Sequence, residues 1–156
     1  MRVRSATPDD LELLVEFNAC LARESEGREL DRERLRAGVA AQLGDAQRGH
    51  YHVAERDGVV LGSLAVTREW SDWRHGWFWW IQSVYVRPEA RRSGVYRALH
   101  AAVRAAALAA GDVCGLRLYV ERDNLGAQRT YAAVGMQEAV YALWEEDFVL
   151  GGASAH

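Results

Sequence analysis

The hydrophobic pattern of the first 50 residues predicts a short strand followed by two helices. Polar and apolar side chains alternate over residues 2–6, which is typical of a strand. Thr7 and Pro8 then suit the start of a helix that continues to about Glu24. Its apolar face consists of residues at helical spacing, Leu11, Leu14, Val15 and Ala22. After a polar break, a second helix is expected from Asp31 to about Gly44.

The middle of the chain predicts three strands and one long helix. Two β-prone runs, residues 51–56 and 59–66, flank Asp57-Gly58, which is the strongest short-range signal for a hairpin. An aromatic strand is expected over residues 77–86, before Pro88. The apolar stretch 95–110 then predicts a helix that Gly111 ends.

The last part of the chain predicts a strand over residues 114–120 and a helix from Asn124 to Val134, with a final strand or strand pair over residues 137–150. A helix connects residues 77–86 to residues 114–120, so these two strands should run parallel. The order β-α-α-β-β-β-α-β-α-β predicts one α/β (α+β) domain over residues 1–150. Its sheet would be mixed and mostly antiparallel, and residues 151–156 would form a loose tail.

Composition and charge narrow the function classes. The 156 residues are 49% hydrophobic and 26% charged, a balance typical of one globular domain. A net charge of −3 disfavours a nucleic-acid-binding module, which would need a basic surface. The most apolar stretch, residues 95–110, is too short to span a membrane. Cys20 and Cys114 lie far apart in the sequence, so we expect a reducing, cytoplasmic environment rather than a disulfide framework.

The segment 83–99 carries the first chemical signal. A strand feeds an arginine-rich loop that closes on Gly94 at the start of a helix. The free backbone N–H groups and the positive dipole of a helix N-terminus suit a phosphate group. Arg91 and Arg92 add positive charge there. The alternative interpretation is an ordinary strand-to-helix turn with solvated arginines.

The second signal lies about 30 residues downstream. Asn124 and Tyr131 are seven residues apart, so they lie on one face of the predicted helix. Taken separately, Asn124 is a helix cap and Tyr131 is a buried core aromatic.

Together the two segments resemble the acetyl-CoA-binding motifs of the GNAT N-acetyltransferase family. The family's signature is Gln/Arg-x-x-Gly-x-Gly/Ala after a strand that ends in Val-x-Pro. Val86-Arg87-Pro88 matches the strand end, and residues 91–96 match the signature except that Tyr96 replaces the usual Gly or Ala. Residues 124–136 match its Asn-x-x-Ala-x-x-x-Tyr-x-x-x-Gly segment. The resemblance covers nearly the whole chain. It implies a GNAT-like domain with helices on both faces of the sheet, whose parallel strand pair splays around acetyl-CoA.

The resemblance also implies roles for individual residues, with acetyl-CoA as co-substrate and a primary amine attacking its thioester directly. Tyr131 would protonate the departing thiolate. Strand backbone groups would hold the thioester and the pantetheine, and the loop would hold the pyrophosphate. The cofactor-binding residues expected on this basis are Val84, Tyr85, Val86, Arg91, Arg92, Ser93, Gly94, Val95, Tyr96, Arg97, Asn124 and Ala127.

Within the family, the chain is most similar to the small diamine and thialysine acetyltransferase branch, through residues 23–26, the Trp70–Trp73 loop and the aromatic strand. The implied acceptor is a small polyamine-like or amino-acid-like molecule. That branch often carries Glu-Asp on the strand, where this chain has Gln82-Ser83. The candidate acceptor-binding residues are Glu24, Glu26, Glu69, Trp70, Asp72 and Gln82. The four acids among them are equally open as the general base.

Two functions therefore remain open, an acetyltransferase and a non-catalytic acyl-CoA-binding or sensor module on the same fold. No pair of histidines has metal-ligand spacing, so no metal is expected, and His100 is expected at the surface or in a helix cap. Neither nucleic acid nor a membrane is an expected partner. The family resemblance suggests a homodimer, with Tyr141 and Trp144 in its interface.

Overall fold

The computed structural model describes residues 1–151 and places them in two compact units, the first formed by residues 1–118 and the second beginning at Tyr119. Apart from Gly151, the predicted tail lies outside the described residues. The strands, all in the first unit, are β1 (Arg2–Ser5), β2 (His50–Arg56), β3 (Val59–Ser71), β4 (Gly76–Val86) and β5 (Val113–Arg117). The helices are α1 (Leu11–Glu26), α2 (Arg32–Gly44), α3 (Val95–Ala110) and, in the second unit, α4 (Leu125–Ala133).

The five strands form one sheet in the order β1-β2-β3-β4-β5. Neighbouring strands are antiparallel from β1 to β4, whereas β4 and β5 are parallel. The predicted mixed sheet with one parallel pair is therefore confirmed. The predicted hairpin is also present: Arg56 pairs with Val59, and the two turn residues between them have positive φ angles, +52° at Asp57 and +78° at Gly58.

Helices cover both faces of the sheet, as expected. Side chains from α1 and α2, including Phe17, pack on one face against Tyr51 and Tyr85. On the opposite face, α3 approaches β3 so closely that a Cβ atom at Gly62 would lie 2.9 Å from Cγ1 of Val95. Because successive residues of a strand point to opposite faces, each central strand contributes to both layers.

The buried face of α3 corrects one sequence prediction. His100 is only 5% exposed, so the expectation of a surface or capping histidine is wrong. His100 follows Tyr96 by four residues and therefore shares its buried face. Burial and the positive charge of Arg104 lower the pKa of the His100 imidazole. The buried residues of α3 are Val95, Tyr96, Leu99, His100, Val103 and Ala107.

Two strand boundaries differ from the prediction because pairing determines them. β3 continues to Ser71, which pairs with Gly76 across the β3–β4 turn. β5 ends at Arg117, where its parallel pairing with Trp80 ends. The helix predicted over residues 95–110 has the same bounds in α3.

The predicted final strand or strand pair is wrong, because residues 137–150 contain no strand. Aromatic and β-branched residues favour a strand, but an extended segment becomes one only when its backbone groups find a partner. Within this segment, the Asp147 carboxylate accepts hydrogen bonds from the N–H groups of Val149 and Leu150 at 2.7 and 2.8 Å.

None of the helices within residues 1–151 has the length and apolar character that a membrane crossing requires.

The buried His52 is expected to make the stability of the fold depend on pH. Its Nε2 atom is buried with no hydrogen-bond partner among the described residues. Burial and the nearby His50 lower its pKa to about 4, whereas the pKa of an unfolded histidine is about 6.5. Between these two values the unfolded chain binds more protons, so we expect stability to fall as the pH drops from 6.5 towards 4.

The measurement is urea unfolding at pH 7 and at pH 5, for the wild type and for His52→Phe. The variant should lose less stability between the two pH values because its ring does not titrate. Equal losses would contradict a role for His52 in the acid response.

Candidate functional site

β4 has an open edge beyond its pairing with β5. The parallel ladder pairs β5 with β4 only from Trp77 to Trp80, although β4 continues to Val86. On that side, residues 81–86 have no partner strand within residues 1–151, and we call this stretch the open edge. A β-bulge lies inside it, because Ala65 pairs with Gln82 whereas Ser63 pairs with Tyr85. Two β4 residues, Ser83 and Val84, lie there against the single β3 residue Leu64, and the φ angle of Ser83 is +49°.

The backbone direction of the open edge follows from one hydrogen bond beside it. The N–H group of Arg87 donates to the carbonyl oxygen of Leu61 at 2.9 Å, so this residue faces β3. Successive residues of a strand direct their peptide groups to opposite sides. Tyr85 therefore faces β3 as well, whereas the N–H and C=O groups of Val84 and Val86 point away from β3, along the open edge.

The N-terminus of α3 lies immediately after the loop that follows β4. Gly94 occupies the N-cap position with φ +84°, and no side chain caps the helix there. The N–H group of Ala98 donates to Gly94 O at 3.0 Å, which leaves the N–H groups of the first turn without a helical partner. The first turn contains no acidic residue to neutralise the positive end of the helix dipole. This end of α3 is therefore suited to an anion.

Tyr96, the residue that departs from the family signature, is directed into the protein. It is 8% exposed, and its ring centroid lies 5.9 Å from that of His100. Its neighbour Val95 packs towards β3 at Gly62, where a Cβ atom would also lie 2.7 Å from Tyr85 O. Sequence reasoning missed Gly62. The signal was available, since a glycine inside a predicted strand often marks a close backbone approach.

A cluster of three side chains joins α1 to the start of this loop. Arg91 Nη2 lies 2.5 Å from Oε2 of Glu24, and Arg91 Nε donates to the Val86 carbonyl oxygen at 3.0 Å. The Tyr85 hydroxyl donates to Oε1 of Glu24 at 3.3 Å. Burial, reinforced by the Cys20 thiol and the Glu24 carboxylate, raises the pKa of Tyr85 to about 12. The tyrosine thus remains protonated and can keep donating to Glu24.

Two other candidate acceptor residues also have partners. Gln82 lies beside the bulge, and its Nε2 atom donates to Oγ1 of Thr67 at 2.6 Å. Glu26 ends α1, and its carboxylate lies 3.5 Å from Nε of Arg28. Gln82 is itself a residue of the open edge, and its side-chain amide is held by Thr67.

The remaining candidates lie at the far end of β4. Trp70 pairs with Trp77, which is about 23 Å from Val84 along the strand at about 3.3 Å per residue. The ring centroids of Trp70 and Trp77 lie 4.9 Å apart. Asp72 belongs to the β3–β4 turn, where it accepts the N–H group of Trp73 at 2.9 Å. The structure therefore does not bring the Trp70–Trp73 loop together with the open edge.

Glu69, the fourth candidate acid, belongs to the same distant group. It pairs with Phe78, about 20 Å from Val84 along β4 by the same rise per residue. Its carboxylate lies 2.7 Å from Nη1 of Arg117.

The second unit contains the downstream motif. Asn124 caps α4, since its side-chain oxygen accepts the N–H group of Ala127 at 3.0 Å. Tyr131 is half-buried near the end of this helix, and burial raises the pKa of its phenol above the usual 10. Gly135 follows the helix with φ +91°, in the C-terminal position predicted for it.

Residues 1–151 contain no group of three or more His, Cys, Asp or Glu side chains that could hold a metal ion.

A model of the acetyltransferase (GNAT) family matches residues 12–136, more than three quarters of the chain. The chain belongs to the GNAT family. It is therefore an N-acetyltransferase, and the predicted fold class is confirmed as that of this family. The family match does not distinguish branches within the family, so the resemblance to the diamine and thialysine branch stays a prediction.

Solved structures agree with the family assignment. A possible acetyltransferase from Clostridium difficile 630 is 41% identical, with 95% of this chain and 97% of that chain covered and a TM-score of 0.88. A transcriptional regulator from Bacillus halodurans C-125 is 22% identical, with 94% and 99% covered and a TM-score of 0.78. AAC(6')-Iy, solved with the bisubstrate analogue CoA-S-monomethyl-acetylneamine, is 18% identical, with 94% and 97% covered and a TM-score of 0.74. The last two share the fold alone. No curated protein matches the chain.

Proposed function

We propose that this acetyltransferase transfers an acetyl group from acetyl-CoA to a primary amine of a small molecule, by direct attack of the amine on the thioester. The observation that supports this best is the open edge of β4 beside the uncapped N-terminus of α3. One offers peptide groups that no neighbouring strand pairs to an extended ligand, and the other offers N–H groups to an anion. A phosphorylated pantetheine chain has both chemical features.

The residues of the first unit fit such a ligand. Val84 and Val86 direct their peptide groups along the open edge, where they would hold the pantetheine amides and polarise the thioester carbonyl. The loop residues from Arg91 to Arg97 would hold the pyrophosphate through backbone N–H groups. The buried Tyr96 side chain leaves that backbone accessible. The family resemblance supports Asn124 and Ala127 as contacts to the CoA arm.

The acceptor amine is proposed to approach beside Glu24 and Gln82. Glu24 supplies a half-exposed carboxylate next to Tyr85, and Gln82 borders the bulge. A carboxylate favours a cationic acceptor and, directly or through water, can take up a proton from it. We leave Glu69, Trp70 and Asp72 out of the acceptor site because they lie about 20 Å or more along β4 from Val84.

Tyr131 is proposed as the general acid. Its phenol is neutral at physiological pH, because burial raises its pKa above the usual 10, so it carries a proton to give. The recipient would be the CoA thiolate, whose charge develops as the thioester bond breaks. The support for this role is the family motif of residues 124–136 together with the protonated state of the phenol.

Turnover with a panel of acceptors tests this function. We expect CoA thiol release from acetyl-CoA with small primary amines, and little release with acceptors that offer only a carboxylate or a neutral hydroxyl group. CoA binding without thiol release for any amine would favour the acyl-CoA-binding or sensor module instead. Turnover of the hydroxyl compounds, with none of the amines, would contradict an amine acceptor.

We also propose a homodimer built on residues 137–150. Several large apolar side chains of this segment are more than 60% exposed: Val140, Tyr141, Leu143, Trp144 and Phe148. Each aromatic side chain can bury about 150–250 Å² at an interface. A concentration of exposed large apolar side chains in one segment favours an interaction site, and a second copy of the chain is the proposed partner.

Light scattering tests the dimer. We expect the wild type to have twice the mass of one chain and Trp144→Asp to be monomeric, because a charge cannot enter an apolar interface without a large desolvation penalty. Trp73→Asp is the matched control, since Trp73 is 85% exposed in the β3–β4 turn. A monomeric wild type would contradict the proposal.

A domain comprising residues 1–150 and a cytoplasmic location complete the proposal. The free thiols of Cys20 and Cys114 fit a reducing compartment, which is where such thiols persist.

A further inference from the structure

We propose that Arg91 couples the binding of acetyl-CoA to the binding of the amine, because it holds the Glu24 carboxylate until the cofactor draws it away. This inference rests on the proposed function and names the residue that links its two ligands. The Arg91 guanidinium group contacts Val86 in the proposed cofactor site and Glu24 in the proposed acceptor site.

The first contact lies on the cofactor side. Arg91 Nε donates to the Val86 carbonyl oxygen at 3.0 Å, and this carbonyl points along the open edge. The Arg91 side chain therefore lies where an extended ligand would pair with β4. An incoming chain that places an amide N–H group on Val86 competes with Arg91 for the same oxygen.

The second contact lies on the acceptor side. Arg91 Nη2 is 2.5 Å from Oε2 of Glu24, a residue 67 positions earlier in the chain. While this pair is intact, the arginine offsets the negative charge that would attract a cationic amine. The Tyr85 hydroxyl holds the other carboxylate oxygen at 3.3 Å, so Glu24 retains one partner when Arg91 leaves. The carboxylate is then oriented and negatively charged.

The exchange requires little energy. Both side chains are almost half exposed, 45% for Arg91 and 43% for Glu24, and exposed ion pairs are weak. Arginine binds phosphate through paired, charge-assisted hydrogen bonds, which are stronger than bonds between neutral groups. Arg91 lies three residues before Gly94, at the loop proposed to hold the pyrophosphate. A bound pyrophosphate therefore competes with Glu24 for the guanidinium group.

A reciprocal coupling follows. If the cofactor releases Glu24, the amine binds more tightly to the cofactor-bound enzyme than to the free enzyme. Thermodynamic linkage then requires the amine to strengthen cofactor binding by the same factor. Without Arg91, the amine affinity is the same in both states.

The first test is CoA binding by calorimetry, with no acceptor present. Glu24→Gln should tighten CoA binding about two- to five-fold, the range expected for loss of an exposed ion pair that holds Arg91 back. Removing a negative charge can itself favour an anionic ligand, so Glu26→Gln is the matched control: it removes the same charge two residues further on.

A double-mutant cycle isolates the contact. In the Arg91→Gln background, Glu24→Gln should leave CoA affinity unchanged, since the residue it releases is absent. Glu24→Gln that does not tighten CoA binding, or that tightens it equally in both backgrounds, would overturn the inference.

The second test uses 1,4-diaminobutane as the amine probe, titrated into free and CoA-saturated protein. Wild type should bind it more tightly with CoA, and Arg91→Gln should bind it equally in both states. Arg92→Gln removes the same charge from the same loop and should weaken CoA binding while keeping the coupling. Coupling that survives in Arg91→Gln would overturn the inference with the proposed function intact. A wild type that fails to bind CoA would refute the proposed function itself.

Discussion

Tyr131→Phe is expected to lower turnover about 100-fold or more, the usual contribution of a positioned general acid. The substitution removes only the hydroxyl group and keeps the ring of this half-buried residue. Stability and CoA affinity should therefore change little. Steady-state turnover with saturating acetyl-CoA measures the loss, and thermal unfolding of the same samples checks the fold.

A more acidic leaving thiol distinguishes acid catalysis from packing. A thiolate of low basicity needs less protonation, so the loss in Tyr131→Phe should shrink with acetyl donors of that kind. Wild-type turnover at every pH would remove Tyr131 from the mechanism. Loss of CoA binding instead of turnover would make it a packing residue.

Gly62→Ala is expected to destabilise the fold by about 1 to 3 kcal/mol, as overpacking of a tight site usually does. A Cβ atom at this position would lie 2.7 Å from Tyr85 O and 2.9 Å from Cγ1 of Val95. The first of these atoms belongs to the β4 backbone, so the strand or the helix must move. Both elements flank the proposed cofactor site. CoA affinity should therefore fall about ten-fold, which corresponds to 1.4 kcal/mol.

Gly38→Ala is the matched control for this effect. Gly38 lies within α2, where an added Cβ atom would have no neighbour within 4 Å. Alanine is the better helix former, so this variant should be as stable as the wild type or more so, with unchanged CoA affinity. Unfolding and CoA titration of both variants make the comparison. Wild-type stability in Gly62→Ala would show that α3 does not depend on this close approach to β3.

Local patterns were sufficient for most of the elements. Helical spacing predicted α1, the capping residue Asp31 predicted the start of α2, and an apolar stretch ended by Gly111 predicted α3. Asp57-Gly58 predicted the β2–β3 hairpin. All of these structures depend on neighbours within a few residues. The motif spacing likewise indicated the GNAT family, which the family match confirms. The same local logic was insufficient for residues 137–150, where strand propensity alone did not produce a strand.

The amino-acid sequence by itself determined the helical and strand periods, the hairpin, the glycine turn at the start of α3 and the family. Tertiary structure decided what each side chain contacts: it paired Arg91 with Glu24, buried His100 on the inner face of α3 and separated Trp70 from Val84 by about 23 Å along β4. The physical reason is distance along the chain. Backbone conformation responds to adjacent residues, whereas an ion pair, a buried ring or an unpaired strand edge depends on which distant segments the fold brings together.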